Sequence, residues 1–249
     1  MKNKVGAIIQ ARMSSKRLPG KVFKLIRGKP IIEHLMIKLK RSKFINDSII
    51  ATTSEKEDQK IINWCKNKKY KFFVGEKNDV LSRFYYCAKE NQIDTIVRIT
   101  SDNPLTDIKL VDDIIKIFNK QKIDYMANNL IKTYPHGLDV EVFNFKSLKK
   151  SFFESNKAFE REHVTQYIRH NDKKFKILNH EYVENHNDIR ITIDTEEDLR
   201  LVRKIVKILG VDASHKDIIK LFRNEKSLKD INKLSSKSHM IYNKKQNII

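Results

Sequence analysis

The sequence predicts an α/β fold built on an open, mostly parallel sheet, and three observations carry that expectation. Strand-like, loop-like and helix-like segments alternate four times in the first half of the 249-residue chain, the pattern of strand–helix–strand crossovers. The strand segments are short continuous apolar runs, as strands buried on both faces should be. Polar and charged residues gather where those runs end, at the edge where open α/β sheets bind ligands.

Val5 to Gln10 is the first such strand, and Ile31 to Lys40 follows it with helical spacing of apolar residues. Ser48 to Thr53 is the second strand. Ser54 then offers an N-cap to a helix through Ile61, Ile62, Trp64 and Cys65, with acids in its first turn. Tyr70 to Val74 gives a third strand, closed by Gly75. Asp79 to Asn91 is a helix with Val80, Leu81, Phe84, Tyr85 and Ala88 on one face, so the run Phe84-Tyr85-Tyr86 belongs to a core and not to a base-stacking surface. Thr95 to Thr100 is the fourth strand, ending at Ser101-Asp102-Asn103-Pro104, and Ile108 to Asn119 is the helix after it.

The pattern changes after Ile123. Leu138 to Phe143 alternates apolar and acidic residues, the mark of a half-buried strand. Phe145 to Asn156 and Glu160 to His170 are expected as helices, Phe175 to Tyr182 as a strand, and Ile189 to Asp194 as the last strand. Thr195-Glu196-Glu197-Asp198 has the form of a capping box, opening a helix that ends at Gly210. Lys216 to Leu234 adds one more helix and a short piece. The expected division is a single domain over 1–234, with a nucleotide-binding half at 1–123, an acceptor and dimerisation part at 124–188, a return strand and helices at 189–234, and a polar tail at 235–249.

Composition narrows the function classes. Hydrophobic residues make up 40% of the chain, enough for a core, while 33% are charged and the formal net charge is +20. The basic residues are interleaved with acids along the whole chain, which argues for anionic small ligands over nucleic acid. The two cysteines, Cys65 and Cys87, lack histidine partners at metal-ligand spacing and fit a reducing compartment without disulfides. The opening apolar run is too short for a signal peptide or a membrane span. A cytoplasmic protein with no membrane insertion is expected.

The chemistry concentrates in a few segments. The first strand runs into Ala11-Arg12-Met13-Ser14-Ser15-Lys16-Arg17-Leu18-Pro19-Gly20-Lys21. This loop has neither of the two common glycine-rich phosphate spacings and relies on side-chain cations, with Pro19 and Gly20 turning Lys21 back over the strand end. Asp102 and Asp194 each follow a strand, and Asp139 and Glu141 share one strand face. Two carboxylates near a cationic loop suit a magnesium–polyphosphate site; taken singly, Asp102 and Asp194 would equally serve as turn and helix caps. His34 fits a partly buried helix histidine. Arg161 and His163 fit either a ligand contact or a pairing between helices, and Arg190 a strand residue reaching a neighbouring carboxylate.

Together these segments resemble the sugar-acid cytidylyltransferases, the makers of CMP-activated acidic sugars such as CMP-KDO and CMP-acylneuraminate, and most of all their spore-coat-polysaccharide branch. The resemblance runs in order through Gln10 to Lys21, Gly75 to Phe84, Arg98 to Leu105, His136 to Phe143, Arg161 to Thr165 and Ile193 to Leu199. It implies a Rossmann-like nucleotide-diphospho-sugar transferase fold and a homodimer. It implies that Arg12 and Lys21 grip the β- and γ-phosphates of CTP and act on the leaving pyrophosphate, with Arg17 and Ser15 beside them. Magnesium on Asp102 and Asp194 is implied too, and Arg98, Asp139, Glu141, Arg161 and His163 are expected on the acidic-sugar side. Ser101 stands where the branch usually has glycine, and Asn103 where cysteine is commoner. A phosphonate or polyol-phosphate acceptor, another nucleotide, or a relative without catalysis are the alternatives.

Overall fold

The computed structural model describes residues 3–235; of the expected polar tail, residues 236–249 lie outside them. The strands are β1 (Val5–Gln10), a small hairpin β2 (Leu25–Ile26) and β3 (Lys29–Pro30), β4 (Asp47–Thr53), β5 (Lys71–Gly75), β6 (Thr95–Thr100), β7 (Tyr125–Ala127), β8 (Glu141–Asn144) and β9 (Ile177–Asn179). The helices are α1 (Ile31–Leu39), α2 (Gln59–Lys68), α3 (Val80–Glu90), α4 (Ile108–Lys120), α5 (Phe145–Glu154), α6 (Ala158–Glu162), α7 (Gln166–Arg169), α8 (Glu196–Leu209) and α9 (His215–Asn224). Seven strands form one sheet in the order β5-β4-β1-β6-β8-β7-β9. Only β8 runs antiparallel to its neighbours in that sheet, so the expected mostly parallel α/β sheet is what forms.

Alternating side chains show why the strands are apolar throughout. Ala7 and Ile9 enter one core with α1, α4 and α8, while Ile8 enters the other with α3, α5 and α7. β4 repeats the pattern with Ile50 on the first side and Ile49 and Ala51 on the second. Both faces are covered here, so the central positions of β1 and β4 are buried. Chain order places β4 on one side of β1 and β6 on the other. The crevice above the carboxyl ends of β1 and β6 is therefore the topological switch point, where such sheets take ligands.

The helix ends largely follow local chemistry. Asp79 caps α3 by accepting from the Ser82 N–H, and Thr195 with Asp198 forms the capping box of α8, which ends before Gly210 at φ 85°. Both cysteines are free and buried, and burial pushes each thiol up to about 12, which leaves them inert. No described helix is long and apolar enough to cross a membrane.

Five expectations need correction. Ser54 caps no helix: a 3-10 turn, Lys56–Asp58, intervenes before α2. The helix expected over 160–170 breaks into α6 and α7, because Val164 between them sits at φ 58°, a conformation that breaks an α-helix and is costly for a β-branched residue. The strand expected over 175–182 shrinks to Ile177–Asn179. The half-buried strand over 138–143 is buried on both faces, Glu141 included, and only Glu141 onward joins the sheet. Ile189 to Asp194 is extended but belongs to no sheet. It makes one isolated bridge, His136 to Arg190, and hydrogen bonds from Ile191 N to His136 O at 2.8 Å and from Ile193 N to Asp102 O at 3.1 Å. Its place is set by close approach: at Gly137, φ 111°, an added Cβ would lie 2.5 Å from Thr192 N.

Candidate active site

The loop after β1 folds back as its turn residues require. Gly20 takes φ 65°, a left-handed conformation that glycine adopts without strain, and its N–H donates to Met13 O at 3.0 Å. Asp58 fixes the loop's start by accepting from Met13 N at 2.7 Å. Lys21 is thereby sent inward. Its ammonium donates to Asp102 Oδ2 at 2.6 Å, to Asp194 Oδ1 at 2.9 Å and to Ile193 O at 3.1 Å. Its side chain is only 14% exposed.

Asp102 and Asp194, expected from the sequence to share magnesium, are brought together here on the Lys21 ammonium. The route differs, since Asp102 follows β6 while Asp194 ends the extended segment outside the sheet. Asp194 also meets Arg17 at 3.1 Å and Arg190 at 2.7 Å. Burial works against charge on both partners here. For Lys21 it is outweighed by Asp102 and then Asp194, which hold the ammonium above the usual lysine range. For Asp194 it is outweighed by Lys21, Arg17 and Arg190, which hold the carboxyl well below the usual carboxylate range. Asp194 does not cap α8; Thr195 does, with Asp198. Arg190 holds the segment from beneath, its Nε 3.2 Å from Asp198 Oδ1, and Asp198 is fully buried.

Behind this cluster a cleft of about 250 Å³ opens, and Asp102, Asp139, Glu141 and Asp194 all line it. Its floor is a charge network. Arg98 Nη1 lies 3.0 Å from both oxygens of buried Glu141, and its Nη2 donates to Gln10 Oε1 at 3.1 Å. Arg169 Nη2 reaches Glu141 Oε1 at 2.9 Å and Asn129, and its Nε reaches the Tyr125 hydroxyl at 2.8 Å. Two cations share one carboxylate, leaving a net positive floor. Burial opposes charge on Glu141, but Arg98 and Arg169 hold its carboxyl below the usual range. Along one wall His136 Nδ1 sits 3.6 Å from Asp139 Oδ2. Burial, supported by Arg190 and Lys132, outweighs Asp139 and lowers the His136 pKa, so the imidazole is neutral at pH 7.

The remaining candidates separate. Arg12 is exposed and makes no ion pair among the described residues. Ser15 is half-buried in the same loop. Arg161 is committed to structure: it binds Asp79 Oδ2 at 2.7 Å through Nε and the Phe152 and Ser155 carbonyls through Nη1, and it does not line the cleft. Of the two readings of Arg161, a ligand contact or a pairing between helices, the pairing is what the structure shows. His163 stacks edge-on against Phe159 and is not a lining residue either. Burial lowers its pKa, with Arg98 and Arg169 contributing. His34 donates its Nε2–H to Ile26 O, 2.8 Å away, inside the core. Ser101 is buried outside the lining, while Asn103 lines it with an unpartnered Oδ1. Arg169, His136, Lys132, Asn129 and Thr192 also line the cleft, and sequence alone did not single them out. His136 stands in one of the family-like segments, with Gly137 after it marking a turn; Arg169 carried no signal.

Known proteins match the chain along most of its length. A family model described as cytidylyltransferase matches residues 6–247. The chain is 32% identical over 228 residues to the spore coat polysaccharide biosynthesis protein SpsF of Bacillus subtilis, covering 88% of this chain and 94% of that one. A solved cytidylyltransferase of Leptospira borgpetersenii superposes with a TM-score of 0.86 at 33% identity, covering 91% of this chain and 96% of that one. The fold is also that of a CMP:2-keto-3-deoxy-manno-octonic acid synthetase solved with CTP, at TM-score 0.60 and 16% identity, covering 82% and 99%.

Proposed function

The chain belongs to the cytidylyltransferase family, and on that premise we propose that it transfers CMP from CTP to an acidic sugar. The acceptor would be a nonulosonic or KDO-like acid, pyrophosphate is released, and the product serves surface polysaccharide synthesis. One observation carries the proposal. Asp102 and Asp194 converge on a single cation at the end of a cleft whose floor is arginine-rich. The first part suits a metal-bound polyphosphate and the second an anionic acceptor.

The donor set fits magnesium, a hard cation that takes oxygen ligands. Lys21 stands in for a cation between two carboxylates, and Asp102 Oδ1 is buried without a partner. Among the described residues no group of three or more metal-type side chains exists, so the ion would need phosphate oxygens to complete its shell. Magnesium on Asp102 and Asp194 would supply charge neutralisation on the triphosphate. Lys21, Arg12 and Arg17 would hold the phosphates, and Ser15 offers a hydroxyl from the same loop. These cations meet the negative charge that grows on the departing pyrophosphate. On the acceptor side Arg169 and Lys132 recognise the carboxylate, with Arg98 and Glu141 fixing the floor beneath them. Asp139, backed by neutral His136, accepts hydrogen bonds from sugar hydroxyls. The acceptor oxygen then attacks the α-phosphorus as the bond to pyrophosphate breaks, a reaction governed by position and charge. Pyrophosphate release should be measured with each nucleoside triphosphate against acidic sugars, phosphonates and polyol phosphates. Turnover only with CTP and an acidic sugar is expected; turnover confined to another nucleotide or acceptor class overturns the proposal.

Asp194→Asn should raise the magnesium concentration for half-maximal rate by about tenfold or more, equivalent to ~1.4 kcal/mol. Its melting temperature should also fall, because Lys21, Arg17 and Arg190 all lose a charged partner. An unchanged magnesium dependence would reduce Asp194 to a structural group. A homodimer is also proposed, supported by the exposed aromatic pair Tyr86 and Phe153, on α3 and α5. Sedimentation at micromolar concentration should give twice the 29.5 kDa chain mass; a monomer counts against it.

A further inference from the structure

α3 carries a charge that neither the fold nor the chemistry above uses. Arg83 is 4% exposed, and its Nε and Nη1 are buried with no hydrogen-bond partner among the described residues. A guanidinium presents five donors in a rigid fork and stays charged in proteins, so leaving one buried and unpaired is among the costliest arrangements a fold can keep. The other buried arginine, Arg190, leaves its Nη1 without a hydrogen bond but is ion-paired to Asp194 and Asp198 through Nη2 and Nε, the pairing that a buried structural arginine requires.

The surroundings do not compensate Arg83. Asp58 is taken by Met13 N and the Thr53 hydroxyl, and Asp79 by Ser82 N and Arg161. The other nearby charge is Arg12, of like sign. Burial first and Arg12 second pull the Arg83 pKa down to about 10, against Asp58 and Asp79. Arg83 also lies at the functional edge of the sheet. Its stem covers Gly75, the last residue of β5, where an added Cβ would stand 3.1 Å from Arg83 Cγ. β5 and β4 end there side by side, next to the loop after β1.

We propose that Arg83 is a nucleotide-binding residue that pairs with Arg12 on the phosphates of the nucleoside triphosphate, from the β5 side of the loop. The inference rests on the CTP reading above and adds a residue to it. Arg12 and Arg83 are like charges near enough for Arg12 to disfavour the charge on Arg83; a polyphosphate, with several anionic oxygens, relieves both at once and accepts from their free donors. The unpaired state is the cost of holding that site ready.

Calorimetric titration of the full chain with CTP, CDP, CMP and cytidine, in magnesium and without acceptor, tests this on wild type, Arg83→Met and Arg83→Lys. Methionine keeps an unbranched stem and removes the charge. Arg83→Met should bind CTP and CDP at least about tenfold more weakly, as loss of a charge-assisted contact demands, with cytidine binding unchanged. Its unliganded melting temperature should be no lower than that of wild type, because an unpaired buried charge has gone. Unchanged CTP affinity, with or without a lower melting temperature, overturns the inference, and so does a loss equal for cytidine and CTP, which would place Arg83 on the base. If Arg83→Met does not fold, Arg83→Lys decides: a weakened CTP affinity at unchanged cytidine affinity upholds the inference, and wild-type CTP affinity overturns it. Wild type that fails to bind CTP defeats the CTP reading itself, a result distinct from failure of the variants alone.

Discussion

Lys21→Ala should lower kcat/KM for CTP by about 10²- to 10³-fold, the range seen when one preorganised donor to developing negative charge is removed. It should also destabilise the protein, because Lys21 stands between Asp102 and Asp194. Without it those carboxylates face each other, and Asp194 retains only Arg17 and Arg190. The pH dependence separates the two effects. The Lys21 pKa is raised in the folded state, so its contribution is fully present below the unfolded value of about 10.4 and is lost as pH rises through the folded one. The Asp194 pKa is lowered in the folded state, so its contribution is present above the unfolded value of about 3.9 and is lost as pH falls towards the folded one. In Lys21→Ala the Asp194 carboxyl moves back towards its ordinary value, and the loss of stability between about pH 4 and pH 2 becomes shallower. Melting curves across that range, with turnover at pH 7, check both. A variant with wild-type turnover would remove Lys21 from the phosphate site.

The parts of this site that follow local rules were legible in the sequence. β1, β4 and β6 each carry a buried apolar run, so their ends, and with them Arg12 and Asp102, fall where periodicity puts them. The capping box at Thr195 fixed the start of α8, and with it the neighbourhood of Asp194. What depends on distant partners was not legible. Ile189 to Asp194 alternates as a strand does, yet its backbone bonds to Asp102 O, to His136 and to the Asp198 side chain and not along a strand of the sheet, so it lies extended beside the sheet. Glu141 alternates with valines as a solvent-facing acid would; its burial comes from Arg98 on the adjacent strand and Arg169 on α7. Arg169 itself follows the left-handed Val164 in a four-residue helix. No helical or strand period runs through such a turn, so nothing in the spacing aims that arginine at the cleft.

Glu141→Gln should be the most destabilising single change at the cleft, by about 3–5 kcal/mol, the cost of removing one partner from a buried ion network. The residue is 5% exposed and takes both Arg98 and Arg169. Glutamine keeps one acceptor oxygen but turns an amide N–H₂ towards a guanidinium, so two half-buried cations lose their shared anion and one faces a donor. Arg169→Gln should cost less, because it leaves Arg98 and Glu141 as a neutral pair with both carboxylate oxygens engaged. The same comparison divides stability from recognition. Arg169 lines the cleft and Glu141 supports it, so Arg169→Gln should raise KM for the acceptor while KM for CTP stays near wild type. The Glu141 pKa is lowered in the folded state, so its contribution is present above the unfolded value of about 4.3 and fades as pH falls through the folded one; Glu141→Gln should therefore flatten the acid limb of the stability curve. Chemical denaturation of both variants from pH 7 downward, with acceptor kinetics at pH 7, measures each effect. Equal costs for the two variants would mean that Arg98 and Arg169 do not depend on the shared carboxylate, and the charge network would not be what holds the floor of the cleft.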